Sequence, residues 1–149
     1  MNIPRRTFLK SVLAGTTLAL LSKTAFADWA KGLEASSSDE ARKAVLGDVS
    51  VEDSDKIDIN APEVAENGKK VPVTVSVDMP NVESITVIAD KNPKPLIAQF
   101  NVQNSMVEPY FKTQIKMKET SDIVVIVKAD GKLYKATKPV EVTSGGCGG

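Results

Sequence analysis

Residues 71–79 read Val71-Pro72-Val73-Thr74-Val75-Ser76-Val77-Asp78-Met79, with an apolar side chain at every odd position and a polar side chain or proline at every even one. Because successive side chains of a β-strand point to opposite faces, this alternation predicts a strand with one face in a core. Pro72 has no backbone N–H for a neighbouring strand, so it indicates an edge strand or the beginning of a strand. The stretch therefore predicts a protein built on half-buried β-sheets.

Patterns of the same kind continue on both sides of this stretch. Ile57 and Ile59 flank Asp58 in a short predicted strand, and residues 61–68 form a connector that ends in an Asn-Gly turn. Further strands are predicted over residues 83–89, 96–102, 111–117, 123–127, 133–136 and 139–143. Seven or eight strands at turn spacings of roughly 8–12 residues predict a mainly β domain over 48–143, an immunoglobulin-like antiparallel β-sandwich.

Three features refine this prediction. Residues 123–127 are apolar throughout, which is typical of a central strand, and Asp130-Gly131 is a strong hairpin signal between two strands. Lys112, Lys116 and Lys118 alternate with apolar residues along the predicted strand 111–117. We interpret these lysines as a solvated strand face that discourages edge aggregation, with an anion-binding site as the less favoured alternative.

Residues 28–47 predict a short N-terminal helical segment in front of the sandwich. Ser37 and Glu40 match the capping-box spacing at a helix start, and Gly47 is placed to end the helix. Between them, Ala41, Ala44 and Val45 provide a short apolar face.

The first 27 residues resemble a cleavable twin-arginine export signal. Arg5-Arg6 precedes Phe8-Leu9-Lys10, an apolar run over 12–21 is too short to span a bilayer, and the sequence Ala-Phe-Ala at 25–27 suits signal cleavage. We therefore expect a periplasmic protein with no membrane attachment after the signal is removed. An uncleaved N-terminal anchor is the less favoured alternative.

Charge and composition exclude several function classes. Arg5, Arg6, Lys10 and Lys23 leave with the signal and no acid does, so 15 basic and 19 acidic side chains remain, for a formal charge of −4. This mildly acidic balance gives no support for nucleic-acid binding. The chain has no histidine, so we expect no Ser-His-Asp or Cys-His catalytic system and no metal site.

The end of the chain carries its single thiol. Cys147 is the only cysteine, and it lies between two glycine pairs, Gly145-Gly146 and Gly148-Gly149. Glycine has the greatest backbone freedom, so we interpret residues 144–149 as a flexible arm. From Val142, five extended residues at roughly 3.3–3.6 Å each would carry the thiol about 17 Å from the domain. A lone cysteine in an oxidising compartment indicates a reactive thiol or an intermolecular bond.

The nearest cation in the sequence, Lys138, is nine residues from Cys147, so we expect no strong activation of the thiol by its own neighbours, and it suits covalent attachment better than catalysis. The twin-arginine route exports folded proteins, and a metal cofactor is hard to place in this chain. We therefore expect a partner subunit that lacks its own signal and is exported together with this one.

These features together resemble a known family. The twin-arginine signal, the connector Pro62-Glu63-Val64-Ala65-Glu66-Asn67-Gly68 followed by Val71-Pro72-Val73, and the terminal Gly-Gly-Cys-Gly-Gly resemble SoxY, the carrier subunit of the bacterial sulfur-oxidation (Sox) system. The resemblance spans the whole chain, and the terminal motif is its most specific part.

The resemblance implies a non-catalytic carrier that holds thiosulfate-derived sulfur on Cys147 and has no other cofactor. It implies a heterodimer with a SoxZ-like subunit and three kinds of partner enzyme: a haem enzyme that conjugates thiosulfate to the thiol, a hydrolase that releases sulfate, and in some organisms a sulfane dehydrogenase. Gly145, Gly146, Gly148 and Gly149 would allow the arm to enter narrow active-site channels.

A different class of function is compatible with the same residues. An exported β-sandwich binding module could use Cys147 to tether itself to another protein by a disulfide bond. The tether predicts a stable mixed disulfide, whereas the carrier predicts sulfur adducts on the thiol.

Overall fold

The computed structural model describes residues 30–103 and 108–143. A helical segment at 30–34 precedes one longer helix, α1, at Ser38–Leu46. Nine strands follow within the described ranges: β1 Val51–Asp53, β2 Ile57–Asn60, β3 Val64–Ala65, β4 Val71–Val77, β5 Val82–Ala89, β6 Leu96–Asn101, β7 Tyr110–Ile115, β8 Ser121–Ala129 and β9 Lys132–Val142. The predicted export signal at 1–27 and the predicted arm at 144–149 lie outside the described residues.

The strands form two sheets that pack into a β-sandwich, as predicted. One sheet has the order β1-β9-β8-β5-β6, with β3 also paired to β9, and the other has the order β2-β4-β7. The long pairings are antiparallel, whereas β1 and β3 each run parallel to β9. The apolar strand β8 is central, as expected, because it lies between β5 and β9.

Strand β4 supplies the middle of the smaller sheet. Val71, Val73, Val75 and Val77 are each no more than 2% exposed and lie in the core between the sheets. Pro72 is tolerated because β2 pairs only with residues 74–77 of β4, so the proline lies where β4 has not yet met that neighbour. The proline therefore marks a strand beginning, one of the two predicted possibilities.

Helix α1 covers the outer face of the larger sheet. The Ser37 hydroxyl accepts a hydrogen bond from the Glu40 N–H at 3.2 Å, and Gly47, at φ 82°, donates to the Lys43 carbonyl at 3.0 Å. Both predicted helix ends are thus confirmed. The Glu40 carboxylate accepts from the Ser36 N–H instead of the Ser37 N–H, so the reciprocal bond of the cap is shifted by one residue. A second apolar cluster lies under the helix and contains Ala41, Ile88, Leu96, Ile126 and Leu133.

The predicted strand boundaries were wrong at two places that bear on the site. The strands predicted at 133–136 and 139–143 are one continuous strand, β9, because Pro139 lies in the gap between the residues that pair with β1 and those that pair with β3. Strand β7 ends at Ile115, so Lys116 and Lys118 lie in the turn beyond it, not on a strand face. They remain exposed, as predicted, and Lys112 lies on β7.

Among the residues that the structure describes, no helix is both long and apolar enough to cross a membrane.

Candidate functional site

The predicted site residues, Cys147 and the glycines Gly145, Gly146, Gly148 and Gly149, lie outside the described ranges. The described chain ends at Thr143, four residues before Cys147. The structure therefore shows the place from which the predicted arm leaves the domain, which we call the arm root: residues 141–143 and the groups that hold them.

Two neighbouring segments fix the arm root through its backbone. The N–H of Glu141 donates to the Glu63 carbonyl at 2.8 Å, and the N–H of Thr143 donates to the Ala65 carbonyl at 3.2 Å. Between them, the N–H of Val142 donates to the Thr120 hydroxyl at 3.0 Å. Because every N–H from 141 to 143 has a partner, the position and direction of the chain are fixed up to Thr143.

The connector 61–68 is the element that positions the arm root. Its two-residue strand β3 pairs in parallel with Glu141 and Val142. The carbonyl of Gly68 then accepts a hydrogen bond from the Met117 N–H at 2.7 Å. The connector thus joins the end of β9 to the turn after β7.

Gly68 is required in this place by space. A Cβ added to Gly68 would lie 2.2 Å from the Met117 carbonyl oxygen and 2.9 Å from Cγ1 of Val142. The first contact is with backbone, which cannot rotate aside as a side chain can. The predicted Asn-Gly turn is confirmed as a turn, because the Asn67 carbonyl accepts from the Lys70 N–H at 3.1 Å.

A groove of about 960 Å³ opens beside the arm root. Its walls are the connector at 66–69, the turn at 92–94, the turn at 116–118 and the end of β9 at Val142 and Thr143. Ile97, Met117 and Val142 contribute apolar surface to it. The groove therefore begins at the last described residue before the predicted arm.

Asn92 holds one wall of this groove in place. Its side chain is 8% exposed, its amide donates to the Lys116 carbonyl at 2.6 Å, and its amide oxygen accepts from the Lys118 N–H at 3.0 Å. With the bond from Met117 to Gly68, the turn at 116–118 is fixed at three consecutive residues.

Four lysines line the groove and give it a basic character. Among the described residues that line this groove, one is acidic, Glu66. The Lys94 ammonium donates to the Glu34 carbonyl at 2.5 Å, and a neutral carbonyl leaves its charge uncompensated. The lysines are Lys69, Lys94, Lys116 and Lys118.

A second groove beside the arm root has a different balance of charge. It is smaller, about 410 Å³, and is lined by Lys91 and Lys138 but also by Glu63, Asp122 and Glu141. The arm root therefore contributes to both a basic groove, through Val142 and Thr143, and a slightly acidic one, through Glu141.

Within 30–103 and 108–143, no group of three or more His, Cys, Asp or Glu side chains could hold a metal ion. What this part of the chain provides is a fixed attachment point with charged surroundings.

Several residues of the arm root and of the groove beside it were missed by sequence reasoning. Nothing in the sequence distinguishes Asn92 from an ordinary turn asparagine or Thr120 from a loop threonine. The Asn67-Gly68 pair was identified as a turn, but Gly68 packs against the turn after β7 and against β9, at residues about fifty and seventy-five positions away, which no local pattern reports.

A family model and a solved structure both relate this chain to the same protein family. The family described as "Sulfur oxidation protein SoxY" matches residues 42–147, a range that ends at the predicted site cysteine. The solved structure of the sulfur carrier protein SoxY from Chlorobium limicola f thiosulfatophilum is similar over 71% of this chain and 96% of that chain, with 40% sequence identity and a TM-score of 0.65. No curated protein sequence matches the chain.

A second solved structure is similar in fold alone. The superoxide reductase (neelaredoxin) from Ignicoccus hospitalis is 19% identical, with a TM-score of 0.54 over 62% of this chain and 95% of that chain. At this identity the likeness concerns only the β-sandwich.

Proposed function

Because this chain belongs to the SoxY family of sulfur-oxidation proteins, we propose that it holds thiosulfate-derived sulfur covalently on Cys147 and presents it to partner enzymes. The chain acts in this proposal as a carrier and not as a catalyst. Its only covalent cargo is the sulfur intermediate on the thiol.

The proposed loading step is an oxidation. The Cys147 thiolate and one thiosulfate dianion form a sulfur–sulfur bond, giving the S-thiosulfonate R–S–S–SO₃⁻ and releasing two electrons, for which the conjugating haem enzyme would be the acceptor, one electron at a time. A hydrolase then adds water across the terminal S–S bond. Sulfate leaves and a persulfide remains on Cys147, where a sulfane dehydrogenase could oxidise it further.

The observation that carries this proposal is the fixed arm root, four residues before the thiol. Hydrogen bonds from Glu141, Val142 and Thr143 hold the chain until Thr143. A carrier benefits from this arrangement because a fixed root and a short tether confine the thiol to a small volume, which raises its effective concentration at a docked enzyme.

The location and partners follow from the same proposal. The protein acts in the periplasm after export by the twin-arginine route, as a heterodimer with a SoxZ-like subunit. The Sox enzymes named above act on it in turn. The support for these points is the signal-like sequence at 1–27 together with membership of the family.

The test compares the wild-type protein with Cys147→Ser after growth on thiosulfate. We expect the intact mass of the purified wild type to show added sulfur or sulfonate units, and the variant to show none while it still co-purifies with its partner subunit. Serine keeps the size of the side chain but removes the thiol, so retained co-purification controls for folding.

Two results would contradict the proposal. Adducts that persist in Cys147→Ser would place the cargo elsewhere on the chain. A stable disulfide-linked protein conjugate in the wild type, with no sulfur adduct, would support the tether instead.

A further inference from the structure

We propose that the basic groove beside the arm root is the docking face for the enzymes that receive Cys147, and that those enzymes present an acidic rim around the entrance to the receiving site. This inference rests on the proposed carrier function and adds to it a surface and the chemistry of its partner. The basic groove is defined by Lys69, Lys94, Lys116 and Lys118 around the apolar surface of Ile97 and Met117.

The length of the arm limits where an enzyme can bind. Thr143 is fixed, and the four residues from it to Cys147 span at most roughly 14 Å when extended, at about 3.3–3.6 Å per residue. An enzyme whose reacting atoms lie below its surface must therefore contact the carrier close to Thr143. The Asp130-Gly131 hairpin lies at the other end of β9, eleven residues or roughly 36 Å away, and is out of reach.

The balance of charge then favours one of the two grooves near Thr143 as the docking face. The basic groove has four lysines against one glutamate, whereas the second groove has two lysines against three acids. The chain without its signal has a formal charge of −4, so this basic surface is opposite in sign to the protein as a whole. A partner with an acidic rim is attracted to this side and oriented by it.

The lysines stand on a backbone that is already ordered. Asn92 and Gly68 fix the turn that carries Lys116 and Lys118, and among the described residues no ion pair includes Lys69, Lys116 or Lys118. Docking would therefore neither break an internal ion pair of these three lysines nor order this turn, two costs that often weaken association. Apolar surface inside a charged rim is also the usual arrangement of a protein interface.

The experiment uses the mature chain together with the subunit that co-purifies with it. Cys147 is loaded chemically with tetrathionate: the thiolate attacks a central sulfur, the S-thiosulfonate forms and one thiosulfate leaves. Intact mass confirms the loading. The probe is the sulfate-releasing hydrolase of the same host, and sulfate release is measured over a range of carrier and NaCl concentrations.

The test variant is Lys116→Glu with Lys118→Glu, and the matched control is Lys91→Glu with Lys138→Glu. Both pairs change the charge by the same amount close to the arm root, but in different grooves. For the groove variant we expect kcat/KM to fall about tenfold at low salt because KM rises. The difference in kcat/KM from the wild type should narrow as added salt screens the charges. The control pair remains within about twofold of the wild type.

Three outcomes would overturn the inference. The two variants could lose activity equally, or the loss could be independent of salt, and neither result fits docking by charge. If the groove variant instead reacts more slowly with anionic tetrathionate but normally with neutral iodoacetamide, the groove binds the cargo and not the enzyme. A failure of the proposed function is distinguishable, because the loaded wild type would then release no sulfate at any salt concentration.

Discussion

At Gly68 the connector passes so close to the turn after β7 that a methyl group would lie 2.2 Å from the Met117 carbonyl oxygen. The same glycine accepts the hydrogen bond from the Met117 N–H. A single position thus brings together the connector, the wall of the basic groove and the end of β9. Position 68 requires a residue without a side chain. A substitution there adds a clash, and no new polar contact offsets it.

We predict that Gly68→Ala destabilises the domain by about 1–3 kcal/mol, the usual cost of adding a carbon atom where packing leaves no room. Urea unfolding measures the change. Lys69→Ala is the control, because an exposed neighbour should change stability by no more than about 0.5 kcal/mol. Equal stability of the two variants would show that the backbone at Gly68 relaxes freely.

Asn92 illustrates a second way in which one residue shapes the site. Its amide replaces backbone partners for Lys116 and Lys118, which lie past the end of β7 and have left the sheet ladder. A buried amide that satisfies both a carbonyl and an N–H fixes the turn in a single position. The backbone that carries Lys116 and Lys118 therefore has a fixed position, although the two side chains are exposed.

At the scale of elements, Glu83 joins β5 to the β8–β9 hairpin, far from the arm root. Its carboxylate forms a 2.7 Å ion pair with Lys128 and accepts from the Gly131 N–H at 2.9 Å. The hydrogen bond from Lys128, followed by that from Gly131, lowers the pKa of Glu83 below its ordinary value. The contribution is modest, because both side chains are more than 40% exposed and salt screens the pair.

The sign of this pKa shift gives a pH prediction. A carboxyl with a lowered pKa in the folded state stabilises the fold above its unfolded pKa of about 4.3, and the contribution is lost as pH falls through the folded pKa. We expect Glu83→Gln to be less stable than the wild type at neutral pH and the difference to shrink in acid. Thermal unfolding from pH 7 to pH 2 measures it.

A gap between wild type and Glu83→Gln that stays constant down to pH 2 would contradict this prediction. Lys128→Met is the companion variant, since removing the ammonium removes the first cause of the shift. We expect the wild-type advantage over that variant to decline over the same acidic range.

Across the whole molecule, the Glu83 contacts that stabilise the fold and the arm root from which Cys147 would be presented lie at opposite ends of β9. One end of this strand carries the Asp130-Gly131 hairpin and its clamp at Glu83, and the other end carries the arm root beside two grooves. Phe100 and Phe111 pack together with ring centres 4.5 Å apart, which joins β6 and β7 across the two sheets. The sandwich thus acts as a rigid base from which residues 144–149 continue.

The proposed export route makes a prediction about the whole assembly. Replacing Arg5 and Arg6 by lysine is expected to keep this chain in the cytoplasm, together with the signal-less partner subunit that we propose is exported with it. Immunoblots of periplasmic and cytoplasmic fractions measure both proteins. Lys10→Arg is the control, and a partner subunit that still reaches the periplasm would contradict co-export.

The fold class, most of the strands and the ends of α1 could be predicted from the amino-acid sequence alone. Val71 to Val77 specified a half-buried strand because β side chains alternate at period two, and Ser37 and Gly47 bounded the helix because capping is local. The sequence also identified Cys147 as the candidate site, because a single cysteine between two glycine pairs can be recognised without a structure. The role of Cys147 remains a prediction.

The construction of the arm root, in contrast, depends on contacts between distant segments of the folded chain. Strands β1 and β3 have two or three residues each, too short for any periodicity, and they exist because β9 offers its edge to them. The basic groove likewise combines residues from 66–69, 92–94 and 116–118. Contacts between segments so far apart depend on how the two sheets pack, and period-two or capping signals extend over only a few residues. The sequence could therefore identify the thiol, whereas the surface beside it emerged only from the fold.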